Sequence, residues 1–224
     1  MTLPRSLSLA LATLALSACG YVTEEETRPL VPPATGAGES SAAAPAADAA
    51  TSDAPAAPGF SLPGSDGSTH TLEQAMDADK IVVLEWFNPE CPVVQSYHNP
   101  GKMLATYEAV AGDDLVWLAI NSGGSGRQGH GEQKNQDAIA RWSLPYPVLF
   151  DESGDVGHAY GARTTPHIFV LRDGRIVYQG AIDDSKSGRE GVNFVQASVA
   201  SLRAGEAPKI EITKPFGCSV KYSD

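Results

Sequence analysis

Cys91 is the residue of this chain with the clearest capacity for chemistry. It follows an apolar run typical of a strand, residues 81–87, and a turn and helix start come directly after it. The free N–H groups and positive dipole end of a helix favour a thiolate, so its pKa should lie below that of an ordinary cysteine. The interpretation requires a sulfur that is ionised and reachable. The alternative is a small buried apolar residue.

Glu85 interrupts the same run, which has the pattern of a strand buried on both faces. Burial of a carboxylate favours its protonated form, so Glu85 could hold or relay a proton near neutral pH. It lies six residues before Cys91, at the same end of the strand. We therefore predict that Glu85 manages the proton of the thiol. The alternative is an edge strand with Glu85 facing solvent.

Four segments resemble the thioredoxin superfamily, and more narrowly its redoxin or peroxiredoxin-like (AhpC/TSA-like) branch. Residues 85–92 resemble the active-site strand and turn, with Cys91 at the first cysteine of Cys-x-x-Cys. Residues 164–167 resemble the cis-proline loop, and residues 180–184 and 217–222 resemble later segments. The resemblance covers residues 58–224. It implies an α/β, thioredoxin-like fold with a central mixed β-sheet flanked by helices on both faces.

The resemblance also assigns roles to Thr165 and Pro166. It implies that the bond before Pro166 is cis, and that the backbone of Thr165 faces a bound thiol peptide. That peptide would pair as an added strand while Cys91 attacks its disulfide. The alternative is an ordinary trans-proline at the start of a strand.

One departure from the family pattern concerns the second thiol. Val94 stands where the second cysteine of Cys-x-x-Cys belongs. A mixed disulfide on Cys91 would persist unless another thiolate attacked it, and Cys218 is the candidate left once Cys19 is accounted for. We predict that Cys218 is a resolving or disulfide partner. A structural disulfide and an unpaired tail thiol stay open, because a bridge depends on a separation that the sequence does not show.

The N-terminus indicates the compartment. Arg5 precedes an apolar stretch, residues 7–16, that is too short to span a bilayer permanently, and it leads into Leu-Ser-Ala-Cys19. Residues 1–18 therefore have the form of a secretory signal, and their end resembles a bacterial lipobox. The resemblance implies lipid on Cys19; the alternative is ordinary cleavage with a free Cys19. Gly20 favours an outer-membrane anchor facing the periplasm, an oxidising compartment.

The remaining chain divides into a tether and one domain. Residues 19–57 are rich in Ala, Pro and Ser, cannot bury enough surface to offset chain entropy, and are predicted to form a disordered tether. Residues 58–224 have the size of a single domain, here the thioredoxin-like one. The net charge of −11 argues against a nucleic-acid partner.

Patterns along the domain predict its elements. Strands are expected at residues 81–87, 115–121 and 147–150, and a hairpin at 167–171 and 175–179 around Asp173-Gly174. Helices are expected from residue 92 toward 110, near 132–142 and at 192–204, with a short one before Gly161. Asn99-Pro100-Gly101 should break the first helix.

No metal or other cofactor is expected. Only one thiol stands in the active-site turn, and the chain's five histidines, His98 and His167 among them, are expected at the surface or in loops. The glycine-rich residues 122–131 lack the Gly-Lys-Ser/Thr of a phosphate loop. They are interpreted as a mobile loop that could border the substrate groove, with flexibility alone favoured.

Together these features favour a membrane-anchored periplasmic thiol–disulfide oxidoreductase. Its partners would be protein or small-molecule thiols and disulfides, with the membrane bound through Cys19. A peroxiredoxin-like peroxidase is the second reading, although Asn88 replaces the expected Thr or Ser and only Arg163 lies near the expected arginine. The third is a non-catalytic thioredoxin-fold lipoprotein. Substrate, electron donor, direction of transfer and oligomeric state are not specified by the sequence.

Overall fold

A computed structural model describes residues 53–185 and 191–223 of the chain. The predicted signal peptide, Cys19 and the tether up to residue 52 lie outside the described residues. Within the described part, no helix combines the length and apolar character that crossing a membrane requires.

The described elements alternate between strands and helices, as the sequence predicts. The strands are β1 (Ser61–Pro63), β2 (Thr69–Thr71), β3 (Ile81–Trp86), β4 (Leu115–Asn121), β5 (Val148–Phe150), β6 (Thr164–Thr165), β7 (His167–Arg172), β8 (Arg175–Gly180) and β9 (Cys218–Ser219). The helices are α1 (Leu72–Ala75), α2 (Pro92–His98), α3 (Lys102–Val110), α4 (Glu132–Trp142), α5 (Asp155–Tyr160) and α6 (Phe194–Arg203), with a 3₁₀ turn at Asp77–Asp79.

Five strands form a mixed sheet in the order β5-β4-β3-β7-β8. The pairs β3–β4 and β4–β5 are parallel, whereas β3–β7 and β7–β8 are antiparallel. Every residue of β3 is buried, because this strand is central and both of its faces are covered. This position shows that the edge-strand alternative for Glu85 is wrong.

Helices cover both faces of the sheet. Alternate residues of β3 point to opposite sides, so Ile81 and Val83 pack with α2, α3, α4 and α6, while Val82 and Leu84 pack with α1, α5 and β1. These two apolar layers confirm the predicted α/β, thioredoxin-like architecture.

The predicted helix break is confirmed. Helix α2 ends at His98 and α3 begins at Lys102, on either side of Pro100. Gly101 has a positive φ of 75°, a conformation that glycine adopts without steric cost. The break leaves α2 with only seven residues, and Cys91 lies at its other end, directly before Pro92.

Two segments outside the sheet line the outer edge of β8. Residues 54–57, which the sequence assigned to the tether, are bonded here: the Ala57 N–H donates to Gly174 O and the Ile176 N–H to Pro55 O, both at 2.8 to 2.9 Å. These residues are held there because an exposed strand edge offers unpaired backbone groups. Residues 211–213 pair with Gln179 on the same edge.

Candidate active site

Cys91 occupies the N-cap of α2, as predicted. Its backbone is extended, with φ −76° and ψ 122°, and Pro92 begins the helix. The Gln95 N–H donates to Cys91 O at 3.0 Å, which closes the first helical turn over the cysteine. The end of β3 and the start of α2 thus hold the sulfur at a helix N-terminus.

The C-terminal segment brings Cys218 to the same place. Strand β9 pairs antiparallel with β6, in the register Thr165 opposite Cys218 and Thr164 opposite Ser219. The two thiols are free and their sulfurs lie 2.6 Å apart. The structure therefore shows that Cys218 reaches Cys91, and it excludes the alternative of a tail thiol remote from the site.

The third component is the loop before β7. The peptide bond between Thr165 and Pro166 is cis, as the resemblance implies. The carbonyl oxygen of Thr165 lies 3.1 Å from Cys91 Sγ. Thr165 thus contacts the Cys91 sulfur through its carbonyl group and Cys218 through the β6–β9 ladder.

The two thiols have opposite pKa shifts. Burial raises the pKa of Cys91, but hydrogen bonds from the Cys218 thiol and the Val94 N–H outweigh it, so that the net shift is downward. Burial and the neighbouring Cys91 sulfur raise the pKa of Cys218. Ionisation therefore places the charge on Cys91, while Cys218 keeps the proton that the pair shares.

The expectation of a reachable Cys91 is wrong for this conformation. Its side chain is 0 % exposed, and Thr165 is 2 % exposed because β9 covers the β6 edge. The sequence predicted that this edge faces a bound peptide, and the chain's own tail occupies it instead. Burial matches the alternative of an apolar core cysteine, but the adjacent thiol and lowered pKa do not.

Contacts on both sides hold the tail in place. After β9, the Tyr222 ring stacks on His158 with centroids 3.9 Å apart, and its hydroxyl donates to Ala162 O at 2.7 Å. Before β9, the hydroxyl of Thr213 accepts from the Ala181 N–H at 2.9 Å. Gly217 lies so close to the Thr165 carbonyl that a Cβ would collide with it. The glycine therefore allows Cys218 to approach Cys91.

Glu85 is fully buried on the helix-rich face of β3. Its carboxylate accepts from Tyr146 Oη at 3.2 Å and Trp117 Nε1 at 3.4 Å, and contacts His98 Nε2 at 3.1 Å. Burial and this carboxylate raise the pKa of Tyr146 well above its usual value, so Tyr146 stays a donor. Within the described residues no hydrogen bond joins Glu85 to Cys91. The structure places Glu85 in a buried network rather than beside the thiol.

The active-site turn is fastened to the glycine-rich loop. Asn88 Oδ1 accepts from the Glu90 N–H at 2.9 Å, and Asn88 Nδ2 donates to Gln128 O at 3.2 Å. The carboxylate of Glu90 accepts from the Gly129 N–H at 2.6 Å and from Lys134 Nζ at 2.9 Å. The interpretation of residues 122–131 as merely flexible is therefore wrong: they brace the turn before Cys91.

Two histidines differ from their predicted surroundings. His98 is 4 % exposed and His167 5 % exposed, both inside regular elements. Burial, with a smaller contribution from the Arg163 charge, lowers the pKa of His167 to about 4. His98 stacks on Trp142 with centroids 4.6 Å apart. Aromatic neighbours explain why these rings are buried rather than solvated.

A cavity of about 300 Å³ adjoins Pro166 and the segment before Cys218. Asp183 forms part of its wall, and this carboxylate accepts from Tyr97 Oη at 3.0 Å and from Lys102 Nζ at 2.6 Å. The segment after β8, which the family resemblance included, thus ties α2 and α3 to the region beside the cis-proline.

Among the described residues, Arg163 makes no contact that would support the peroxidase hypothesis. The Arg163 N–H donates to His167 Nδ1 at 3.4 Å, and within the described part of the chain no interaction joins Arg163 to Cys91. Sequence reasoning missed Gly217, Tyr222 and Glu90 as site-building residues. A glycine directly before a cysteine was the one available signal, since glycine permits a close backbone approach.

Comparison with known proteins agrees with this fold. Solved structures with the same fold include a hypothetical protein from Sinorhizobium meliloti 1021 (TM-score 0.64, 24% identity, covering 76% of this chain and 94% of that one). An uncharacterized conserved protein from Geobacillus kaustophilus gives a TM-score of 0.67 at 25% identity, covering 76% and 92%. No curated protein matches. The Redoxin family matches residues 51–193, which include Cys91 and Pro166 and end before Cys218. The chain belongs to the Redoxin family.

Proposed function

We propose that the protein is a thiol–disulfide oxidoreductase in which Cys91 is the nucleophile and Cys218 the resolving thiol. The observation that supports this most strongly is the 2.6 Å separation of the two sulfurs at the N-terminus of α2, beside cis-Pro166. A thiol of lowered pKa next to one that keeps its proton is the arrangement that disulfide exchange requires.

The reaction begins when β9 leaves the β6 edge, because Cys91 has no solvent-exposed surface while the tail is seated. The Cys91 thiolate attacks one sulfur of a disulfide and expels the other as a thiolate, giving a mixed disulfide. The backbone of Thr165 pairs with the bound chain in place of β9. Cys218 then returns, gives up its proton and attacks the Cys91 sulfur. The products are two thiols and a Cys91–Cys218 disulfide.

We propose that Glu85 accepts and returns protons through its buried hydrogen-bond network, without direct contact with the Cys91 sulfur. The variant Glu85→Gln keeps the shape and can still bond to Tyr146 and His98. Slower exchange at constant pH in a folded Glu85→Gln protein supports the role. Unchanged exchange leaves Glu85 with a purely structural part.

The test uses the full chain with Cys19→Ser, so that only Cys91 and Cys218 remain as thiols. Insulin reduction with a dithiol donor is expected in this protein and absent from its Cys91→Ser variant. The Cys218→Ser variant should accumulate a mixed disulfide on Cys91, because the resolving thiol is missing. Peroxide consumption is measured in parallel. Consumption of peroxide without insulin reduction would overturn the proposal in favour of a peroxidase.

We further propose that the protein is anchored in the cell envelope by lipid on Cys19 and faces the periplasm, with the outer membrane favoured. Support comes from the lipobox-like residues 16–19 and from a redox pair suited to an oxidising compartment. Metabolic labelling with a fatty acid tests it. Label is expected in the wild-type chain and should disappear with Cys19→Ala; label that persists in the variant would contradict the anchor site.

A further inference from the structure

The two sulfurs of the pair differ in their access to solvent. Cys91 is 0 % exposed, with Thr165 on one side and the first turn of α2 on another. Cys218 lies on the outer strand β9 and is only partly buried. With the tail seated, Cys218 is therefore the cysteine of the pair that keeps solvent-exposed surface.

Disulfide exchange makes this difference decisive. The incoming thiolate must approach the sulfur it attacks from the side opposite the leaving sulfur. No approach to Cys91 is open, because none of its surface is exposed. Within the part of the chain that the structure describes, β9 pairs with one strand, β6. The structure therefore leaves Cys218 as the point of attack once the two sulfurs are joined.

The helix N-terminus favours the same direction. A stabilised thiolate leaves faster, and attack on Cys218 expels Cys91. The Val94 N–H donates to the Cys91 sulfur, and this donor remains in place when Cys218 is held in the mixed disulfide.

The charge beside Cys218 differs from that of the whole chain. The net charge is −11, yet the described tail residues 207–223 carry three lysines, Lys209, Lys214 and Lys221, against Glu211. Lys221 is three residues after Cys218, and its ammonium group lies 3.1 Å from Ser219 Oγ. Its positive charge opposes the upward pKa shift of Cys218. A negatively charged thiol is therefore attracted to this end of the pair.

We propose that an external thiol reduces the oxidised protein by attacking Cys218, not Cys91, and that Lys221 favours anionic thiols at that sulfur. The inference rests on the proposed function, since it requires the Cys91–Cys218 disulfide. An external thiolate bonds to Cys218 Sγ, the bond between the two cysteines breaks, and Cys91 leaves as a thiolate. A second external thiolate then attacks the sulfur of the first external thiol in the mixed disulfide. The external disulfide forms and Cys218 is released, so that two electrons enter the protein.

The experiment maps the first adduct. The full chain with Cys19→Ser is oxidised and mixed with 2-mercaptoethanesulfonate, a monothiol that carries a negative charge. Samples are quenched with acid over a series of short times, alkylated with N-ethylmaleimide and analysed by peptide mass spectrometry. Extrapolated to zero time, the mercaptoethanesulfonate adduct is expected on the Cys218 peptide and the maleimide on Cys91. An adduct on Cys91 at zero time would overturn the proposal.

The charge preference is tested with a second monothiol, cysteamine, which carries a positive charge. The rate ratio of mercaptoethanesulfonate to cysteamine is expected to fall about threefold in Lys221→Gln, the size of effect that one partly screened surface charge gives. Lys80→Gln is the matched control, because Lys80 precedes β3 and lies at the opposite end of that strand from Cys91. An unchanged ratio in Lys221→Gln would refute the role of Lys221.

The possible outcomes distinguish a failure of this inference from a failure of the proposed function on which it rests. If oxidation produces no peptide that links Cys91 to Cys218, the proposed function and the inference both fail. If the linked peptide forms and the first adduct is on Cys91, only the inference fails. The initial adduct and the linked peptide are measured in the same samples, so the comparison needs no second preparation.

Discussion

At the scale of single residues, the reactivity of Cys91 depends on what donates to its sulfur. A helix N-terminus supplies the Val94 N–H, and the opposite strand supplies the Cys218 thiol, and together they offset the cost of burial. A buried thiolate without such donors would be strongly disfavoured. In the proposed mechanism the second thiol therefore has two functions: it resolves the mixed disulfide and it stabilises the charge that begins the reaction.

The donor role of Cys218 can be measured directly. In the reduced protein, the pH midpoint of Cys91 alkylation should lie below that of free cysteine. It should rise in Cys218→Ala, which removes the donor, and rise less in Cys218→Ser, whose hydroxyl can still donate. The readout is the rate of iodoacetamide labelling of the Cys91 peptide against pH. A midpoint in Cys218→Ala equal to or below that of the parent protein would contradict the shared-proton description.

The lowered pKa of His167 leads to a separate prediction about the stability of the folded protein. The pKa of His167 is lowered from 6.5 to about 4, so the unfolded chain takes up a proton at a higher pH than the folded one. The stability from neutral His167 is therefore complete above pH 6.5 and is lost as the pH falls toward 4. Between pH 6.5 and 5 the loss should be about 2 kcal/mol of the free energy of unfolding.

Urea unfolding at the two pH values checks this expectation. His167→Asn should show a smaller loss than the parent protein, because the titrating ring is gone. Gly59→Ala, which leaves every titratable group in place and has space for its methyl group, should keep the parent slope. Equal slopes in the parent and His167→Asn proteins would mean that His167 is not held neutral.

Short sequence motifs identified the residues of the site but not the residues that surround them. Cys91 was predicted from the strand and turn around it, and Pro166 from the Thr-Thr-Pro-His string. That Cys91 is covered could not be predicted, because the covering residues lie 127 positions away in the chain. The partners of Glu85, on α2, β4 and the segment before β5, are long-range contacts of the same kind.

At the scale of elements, the β6–β9 ladder determines whether the two thiols meet. Each strand has only two residues, so its own hydrogen bonds cannot hold the tail, and contacts on both sides contribute. After β9 in the chain, Tyr222 stacks on His158, and before β9, Thr213 accepts a hydrogen bond from Ala181. A short ladder between firm attachments is suited to local opening, because few bonds break when it separates.

Gly217 provides the test of that ladder. A methyl group at residue 217 meets the Thr165 carbonyl, so Gly217→Ala should weaken the seating of β9. Overpacking of this kind costs about 1 to 3 kcal/mol, and labelling of Cys91 in the reduced protein should accelerate roughly tenfold. The yield of Cys91–Cys218 disulfide at limiting oxidant should fall.

Gly59→Ala is the matched control, because no atom lies within 4 Å of a Cβ built there. It should label at the parent rate. Slow labelling in Gly217→Ala, equal to that of the control, would show that the tail does not limit access to Cys91.

Element boundaries were predictable where the composition changes sharply. Strand β4 and helix α4 agree with the sequence prediction at both ends: β4 is an apolar run that ends at Asn121, and α4 lies between Gly131 and the segment that contains Pro145. Strands β6 and β9 were not predicted, because two residues carry no period. The glycine-rich loop was misread because its bonds to Asn88 and Glu90 involve backbone groups, which leave little trace in side-chain pattern.

At the scale of the whole molecule, the proposed redox pair brings together two distant parts of the chain. The match to the Redoxin family ends at residue 193, and the second thiol lies beyond it. The matched part of the chain thus contains Cys91 and the cis-proline, while the tail contains Cys218, the proposed resolving thiol. The order of strands and helices was enough to predict the core, whereas the path of the tail depends on contacts with β6, β8 and α5.

The central claim is that Cys91 and Cys218 form one reversible intramolecular couple. The most direct measurement equilibrates the full chain with Cys19→Ser in glutathione buffers of graded potential, followed by acid quench and mass spectrometry. We expect a single two-electron transition, a loss of two hydrogens and one peptide linking Cys91 to Cys218, independent of protein concentration. Separate glutathione adducts on the two cysteines at every potential, or a linkage between two chains, would contradict the account.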